Sequence, residues 1–117
     1  MQDFKNLKVW QKAHELALLT YEITADFPKE ELFGLRNTLR KTSVDIPSFI
    51  AEGCSKPNDQ EFAKLINLAV GLNNRLEYYA LVARDLRLLN EAVHTDYTDR
   101  IIEVRKMLSG FNQRLVQ

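Results

Sequence analysis

Apolar residues recur along most of the chain at helical spacing. From about Leu7 to Asp26, Val9, Trp10, Ala13, Leu16, Ala17, Tyr21 and Ile23 share one broad face. Lys8, Gln11, Lys12, Glu15, Glu22 and Asp26 share the opposite one, a division that predicts an amphipathic helix. Asn6 is a candidate cap for its start, and Phe27-Pro28 is expected to end it, because a residue before proline is pushed out of helical geometry. A second stripe, Leu32, Leu35, Leu39, Ser43, Ile46 and Ile50, runs from roughly Glu30 to Glu52 and keeps its phase across Pro47. A helix-interior proline costs about 3 kcal/mol. The unbroken phase nevertheless predicts one helix kinked at Pro47 rather than two helices.

Gly53 to Pro57 reads as a turn, and Asn58-Asp59-Gln60-Glu61 as an N-cap followed by a capping-box glutamate. The third helix is placed at about Asp59 to Leu89, with Phe62, Leu65, Ile66, Ala69, Leu72, Leu76, Tyr79, Ala80 and Ala83 inward. Asn90 to Thr95 reads as the last connection. Thr95 or a neighbour then caps a fourth helix carrying Tyr97, Ile101, Val104, Leu108, Phe111 and Leu115. Short connections between four such helices predict an all-α fold, an antiparallel up-down-up-down four-helix bundle with a proline-kinked second helix. Residues 1–117 form one expected domain.

Composition narrows the function classes. Sixteen basic and sixteen acidic side chains cancel to zero net charge, so the chain lacks the long-range field of a dedicated monomeric nucleic-acid binder. The single cysteine, Cys54, has no intramolecular disulfide partner, and the first residues contain no apolar signal core. Both features fit a cytoplasmic protein. No uncharged apolar run approaches the roughly 20 residues of a membrane-spanning helix.

Catalytic signatures are sparse. His14-Glu15 lacks the second histidine of a zinc-protease helix, and Glu91-Ala-Val-His94 is a single copy of a motif that di-iron bundles use twice. Cys54 has neither histidine near it in sequence, and no phosphate-binding glycine loop or nucleophile elbow is present. The expectation is a protein without catalytic residues, metal, cofactor or small-molecule substrate.

Polar residues bordering the apolar stripes are more informative. Arg36 and Arg40 sit a turn apart beside Leu32 and Leu39, while Asn73 lies within the third stripe with Glu77 and Arg84 flanking it. In a hairpin of helices two and three, Arg36 reaches about the level of Asn73 to Glu77. An Arg36 or Arg40 ion pair with Glu77 is therefore expected, fixing helix register. Leu19, placed on the polar face of the first helix, is a candidate subunit contact.

"DFKNLKVWQKAHELA" (Asp3 to Ala17), the run from Leu35 through "LRKTSVDIPSFIAEG", "QEFAKLINLAVG" (Gln60 to Gly71) and the late Met107-Leu108 with Gly110 together resemble the family of 23S rRNA intervening sequence proteins. The Ile46 to Gly53 block carries the most specific likeness, and Pro47 and Gly53 belong to it. Phe49 stands where the family block commonly has asparagine, and Leu72-Asn73-Asn74-Arg75 replaces a stretch usually rich in alanine and glutamate. The resemblance implies a four-helix bundle, a homopentameric ring and RNA or a ribonucleoprotein as partner. It extends distantly to the accessory variability proteins of diversity-generating retroelements. The family defines no catalytic residues.

The leading expectation is a non-enzymatic ring that binds RNA through a belt including Arg36, Arg40, Lys41, Arg84 and Arg87, with Leu19 or Phe49 in subunit contacts. Residues 32 to 57 support it, with Arg36, Arg40, Lys41 and Lys56 against Asp45 and Glu52. The rival is a structural or protein-interaction oligomer that binds no nucleic acid.

Overall fold

The computed structural model describes residues 2–116. Among them are four α-helices and no strand: α1 Lys8–Ile23, α2 Leu35–Gly53, α3 Asp59–Asp85 and α4 Glu91–Val116. They pack as a four-helix bundle, 44 × 23 × 20 Å in extent. α2 lies against α1 and α3, and α4 against α3 and α1.

Each helix buries most of the stripe its sequence sets, Tyr21 and Leu32 excepted. Leu39, Ile46 and Ile50 of α2, Ile66, Ala69, Leu76 and Ala80 of α3, and Tyr97, Ile101 and Leu108 of α4 are wholly removed from solvent. α2 is continuous through Pro47, which is itself buried. The ring contributes apolar surface to the core, offsetting part of the cost of the missing N–H donor. Directly beyond, Gly53 permits close approach of α3. A Cβ at this position would fall against the Phe62 ring, far inside van der Waals separation. Phe62 in turn packs edge-to-face on Phe111 of α4, with centroids 5.3 Å apart.

Local chemistry sets the helix ends, and several differ from expectation. Asn58 Oδ1 accepts from Glu61 N at 2.9 Å, the anticipated cap of α3. Asn6 does not cap α1; it ends a short 3-10 turn, and Leu7 occupies the cap position without a side-chain bond. α1 stops at Ile23 rather than Asp26: the backbone leaves helical geometry at Thr24, with φ of −100° and ψ of 1°, and the Thr24 hydroxyl donates back to Thr20 O at 2.7 Å. α2 starts at Leu35 rather than Glu30. Lys29–Glu31 form a separate 3-10 turn, and Leu32 is largely exposed instead of joining the core. α4 begins four residues before the expected Thr95, since Asn90 Oδ1 accepts from Val93 N at 2.9 Å and caps it.

α3 ends in a Schellman motif: Leu88 N donates to Ala83 O and Arg87 N to Arg84 O, both at 2.8 Å. The residue at the left-handed position of this motif is usually glycine. Here it is Arg87, with φ of 64°.

Two buried polar contacts join helices among the described residues. The Tyr97 hydroxyl bonds Thr20 Oγ1 at 2.6 Å, linking α4 to α1, while Thr20 also donates to Leu16 O at 2.8 Å. Asn73 Nδ2 donates to Ile101 O at 3.0 Å, linking α3 to α4. Burial pushes the Tyr97 phenol far above its ordinary pKa, against the smaller opposing effect of the Thr20 hydrogen bond. A folded-state pKa above the unfolded one contributes stability that is fully present below about pH 10 and lost as pH rises further. We therefore expect Tyr97→Phe to lower stability at pH 7 by about 1 kcal/mol. Its denaturation midpoint should fall less steeply than that of the native protein between about pH 9.5 and 11; parallel curves in urea titrations across that window would contradict this role.

Candidate nucleic-acid interface

The cationic side chains of α2 meet the end of α1. α1 finishes with carbonyls that have no partner within the helix, a site favourable to cations. Arg40 occupies it: Nη2 donates to Tyr21 O at 3.1 Å and Nε to Thr24 Oγ1 at 2.9 Å. Its guanidinium lies 4.5 Å from the Tyr21 ring centroid, a cation–π contact. Nη1 donates to no group among the described residues. An open groove of about 360 Å³ lies here between α1 and α2, lined by Tyr21, Asn37, Arg40, Lys41, Val44 and Asp45. Lys41 pairs with Asp45 at 3.4 Å, but its side chain is 73% exposed, so solvent leaves that pair weak and easily exchanged.

Arg36, one turn before Arg40, is half-buried, and its Nε is enclosed without a hydrogen-bond partner among the described residues. Neither arginine bonds Glu77. Instead Arg105 of α4 donates from Nη1 to Glu77 Oε1 and to Asn74 Oδ1. The expected α2–α3 ion pair is thus an α3–α4 pair, because Glu77 faces the neighbour on its other side. Arg84 is engaged by Asp85 at 3.0 Å and approaches Glu91 at 3.9 Å. Arg87 is exposed on the turn after α3. Arg36, Arg40 and Lys41 are therefore successive along one helix, whereas Arg84 and Arg87 stand at the end of another.

Two further placements correct the sequence reading. Leu19 is half-buried and packs on the core; its neighbour Leu18 is the exposed leucine. Tyr21, assigned to the core face, leaves it and lines the groove, 45% exposed. The sequence signal that pointed there was weak: an aromatic in the last turn of a helix, followed by two arginines a turn apart. Phe49 is half-buried against the core.

The residues weighed for catalysis are occupied otherwise. Cys54 is buried, and burial, followed by the nearby Asp3 carboxylate, raises its thiol pKa, which disfavours the nucleophilic thiolate. His14 stacks on Trp10 with centroids 4.9 Å apart. His94 lies in the first turn of α4, not in a loop, with Nε2 3.3 Å from Thr98 Oγ1. Among the described residues no group of three histidine, cysteine or carboxylate side chains is placed to hold a metal ion. No helix of the described residues is long and apolar enough to cross a membrane.

Helix order, core and the cationic edge of α2 define a four-helix-bundle protein. The chain belongs to the 23S rRNA-intervening sequence protein family, whose model matches residues 5–110. It is similar to a crystal structure from Bacteroides thetaiotaomicron VPI-5482, described as a protein with unknown function from the S23 ribosomal protein family. That similarity has a TM-score of 0.79 at 17% identity and covers 89% of this chain and 97% of the other. At that identity the likeness is one of fold. No curated protein matches the chain significantly.

The repartnering of Glu77 is measurable. In a double-mutant cycle, Glu77→Gln with Arg105→Met should show a coupling of about 1 kcal/mol in urea denaturation, and Glu77→Gln with Arg36→Met should be additive to within about 0.5 kcal/mol. The reverse ranking would return Glu77 to α2.

Proposed function

We propose that the protein is a non-enzymatic RNA-binding bundle whose copies close into a ring, of five subunits by family resemblance. Its helices run up-down-up-down, each antiparallel to the next, and α2 bends at Pro47. The antiparallel reading is supported by pairs of touching residues whose numbers run in opposite directions. Asn67 meets Asn112 and Asn74 meets Arg105 between α3 and α4. Val9 and Met107 line one groove while Thr20 meets Tyr97 between α1 and α4. The bend is supported by the donor that Pro47 removes from the helix interior.

The observation that carries RNA binding is the fixed guanidinium of Arg40, beside Lys41 at an open groove and one turn from Arg36. Two cations of the groove, Arg40 and Lys41, stand against its single carboxylate, Asp45, with Arg36 half-buried one turn before them. Arg87 adds support, since a side chain there holds a strained backbone that glycine would relax. A neutral chain binds RNA weakly through so few charges, but a ring repeats the cluster and multiplies the effect through avidity. Exposed Leu18, Leu68, Tyr78 and Leu86 supply apolar surface for subunit contacts. The same residues favour the second reading, an interaction oligomer without RNA.

Binding of a structured RNA across a salt series separates the two readings, with the assembly sized by light scattering. Log affinity should fall linearly with log salt. Lys41→Ala with Arg87→Gly should make the slope shallower by about 0.7 for each phosphate that is no longer neutralised, while Arg87→Gly alone should raise stability by about 1 kcal/mol. No binding at low salt, or binding insensitive to salt, overturns the RNA reading. A monomer at micromolar concentration overturns the ring.

A further inference from the structure

A cation belt accounts for attraction to phosphate but not for Tyr21. This ring sits in the last turn of α1, is 45% exposed although the sequence pattern assigns it to the helix's apolar face, and borders the groove rather than filling it. One of its faces is taken: the Arg40 guanidinium lies 4.5 Å from the centroid. That guanidinium is itself held from behind by Thr24 Oγ1 and the Tyr21 carbonyl at 2.9 and 3.1 Å. Side-chain ordering that normally opposes binding has thus already occurred in the free protein for both groups. What remains unused is the exposed part of the aromatic ring, the Nη1 of Arg40, the weakly paired Lys41 ammonium and the exposed amide of Asn37. An aromatic surface beside pre-oriented cations is the arrangement by which proteins hold single-stranded nucleic acid: bases stack while the cations follow the backbone.

We propose that the groove between α1 and α2 seats an unpaired nucleotide of RNA, its base stacked on Tyr21 and its phosphate at Arg40 Nη1 and Lys41 Nζ. The assignment rests on the RNA reading above and adds the class of RNA. In a duplex each base is already stacked and paired, so its face is closed to Tyr21; a single-stranded segment, loop or bulge offers it. The groove volume of about 360 Å³ admits one base and its sugar. The Asp45 carboxylate, released when Lys41 turns to phosphate, repels a second phosphate and limits each groove to one nucleotide. Asn37 reaches a base edge with an amide that both donates and accepts, so the seat tolerates any base.

A single-stranded RNA oligonucleotide carrying 2-aminopurine, and the same strand annealed to its complement, test this directly. The native protein should quench the 2-aminopurine in the single strand and bind it on the order of tenfold more tightly than the duplex. Tyr21→Phe should keep both effects. Tyr21→Leu should abolish the quenching and weaken single-strand binding on the order of tenfold, with an unchanged salt slope because every phosphate partner remains. Binding without quenching, equal affinity for duplex and single strand, or a Tyr21→Leu protein that quenches as before would overturn the stacking seat and leave the cation belt standing. The first two outcomes need only the native protein and so do not depend on the variant folding. If the native protein binds neither RNA at low salt, the RNA reading fails first and the seat with it.

Discussion

A four-helix bundle closes only when its first helix meets its last, and in this chain the closure passes through one hydrogen bond, from Tyr97 to Thr20. The two residues are 77 positions apart, so the bond closes a loop that spans all three connections between the helices. Around it the requirement is geometric: the Tyr97 ring fills the core and its hydroxyl must reach a partner or remain buried without one. That fixes the level of α4 against α1. Asn73, bonded to the Ile101 carbonyl, fixes α4 against α3. Apolar stripes alone tolerate sliding by a turn, whereas these polar contacts exist in one register.

The same economy operates at the surface. Arg40 completes the end of α1, joins α1 to α2 and holds the Tyr21 ring, so the edge of the groove is tied to both helices behind it. Lys41, the next residue, points away to solvent and makes only a weak exposed pair. Neighbouring cations on one helix thus divide the work, one structural and pre-oriented, the other exposed and weakly paired. Arg84 shows the contrast: drawn to Asp85 and Glu91, it is already neutralised.

What was legible in the sequence follows from the range of each interaction. The stripes of α2, α3 and α4 and the Asn58 cap depend on residues within a few positions, and the structure places them as the pattern predicts, Leu32 excepted. The phase maintained across Pro47 foretold a continuous α2. Long-range partner choice was not legible: Glu77 turned to Arg105 rather than Arg36 or Arg40 because the helix has two neighbours and the stripe does not say which one a bordering carboxylate faces. Tyr21 was hidden for a related reason. Periodicity assigned it to the core, but the buried line of α1 runs through Val9, Ala13, Leu16 and Thr20 to Thr24, which leaves Tyr21 on its flank, where the Arg40 guanidinium offers the ring another partner. Asn90, by contrast, was a readable cap preceding α4 that the choice of Thr95 passed over.

Beside the close approach of Gly53 to Phe62, Cys54, the next residue and the chain's single cysteine, is buried with its thiol biased to the protonated form. The sulfur borders a depression shared by the α2–α3 turn, Gln2 and the end of α4, and at 6% exposure a thiol reagent reaches it freely only when this end of the bundle loosens. The rate at which it reacts under native conditions is therefore a clock for that one opening, with no other sulfhydryl to confuse it. For the proposed ring, the same clock read at low and at high protein concentration would register whether assembly slows the opening of this end, without any label being introduced.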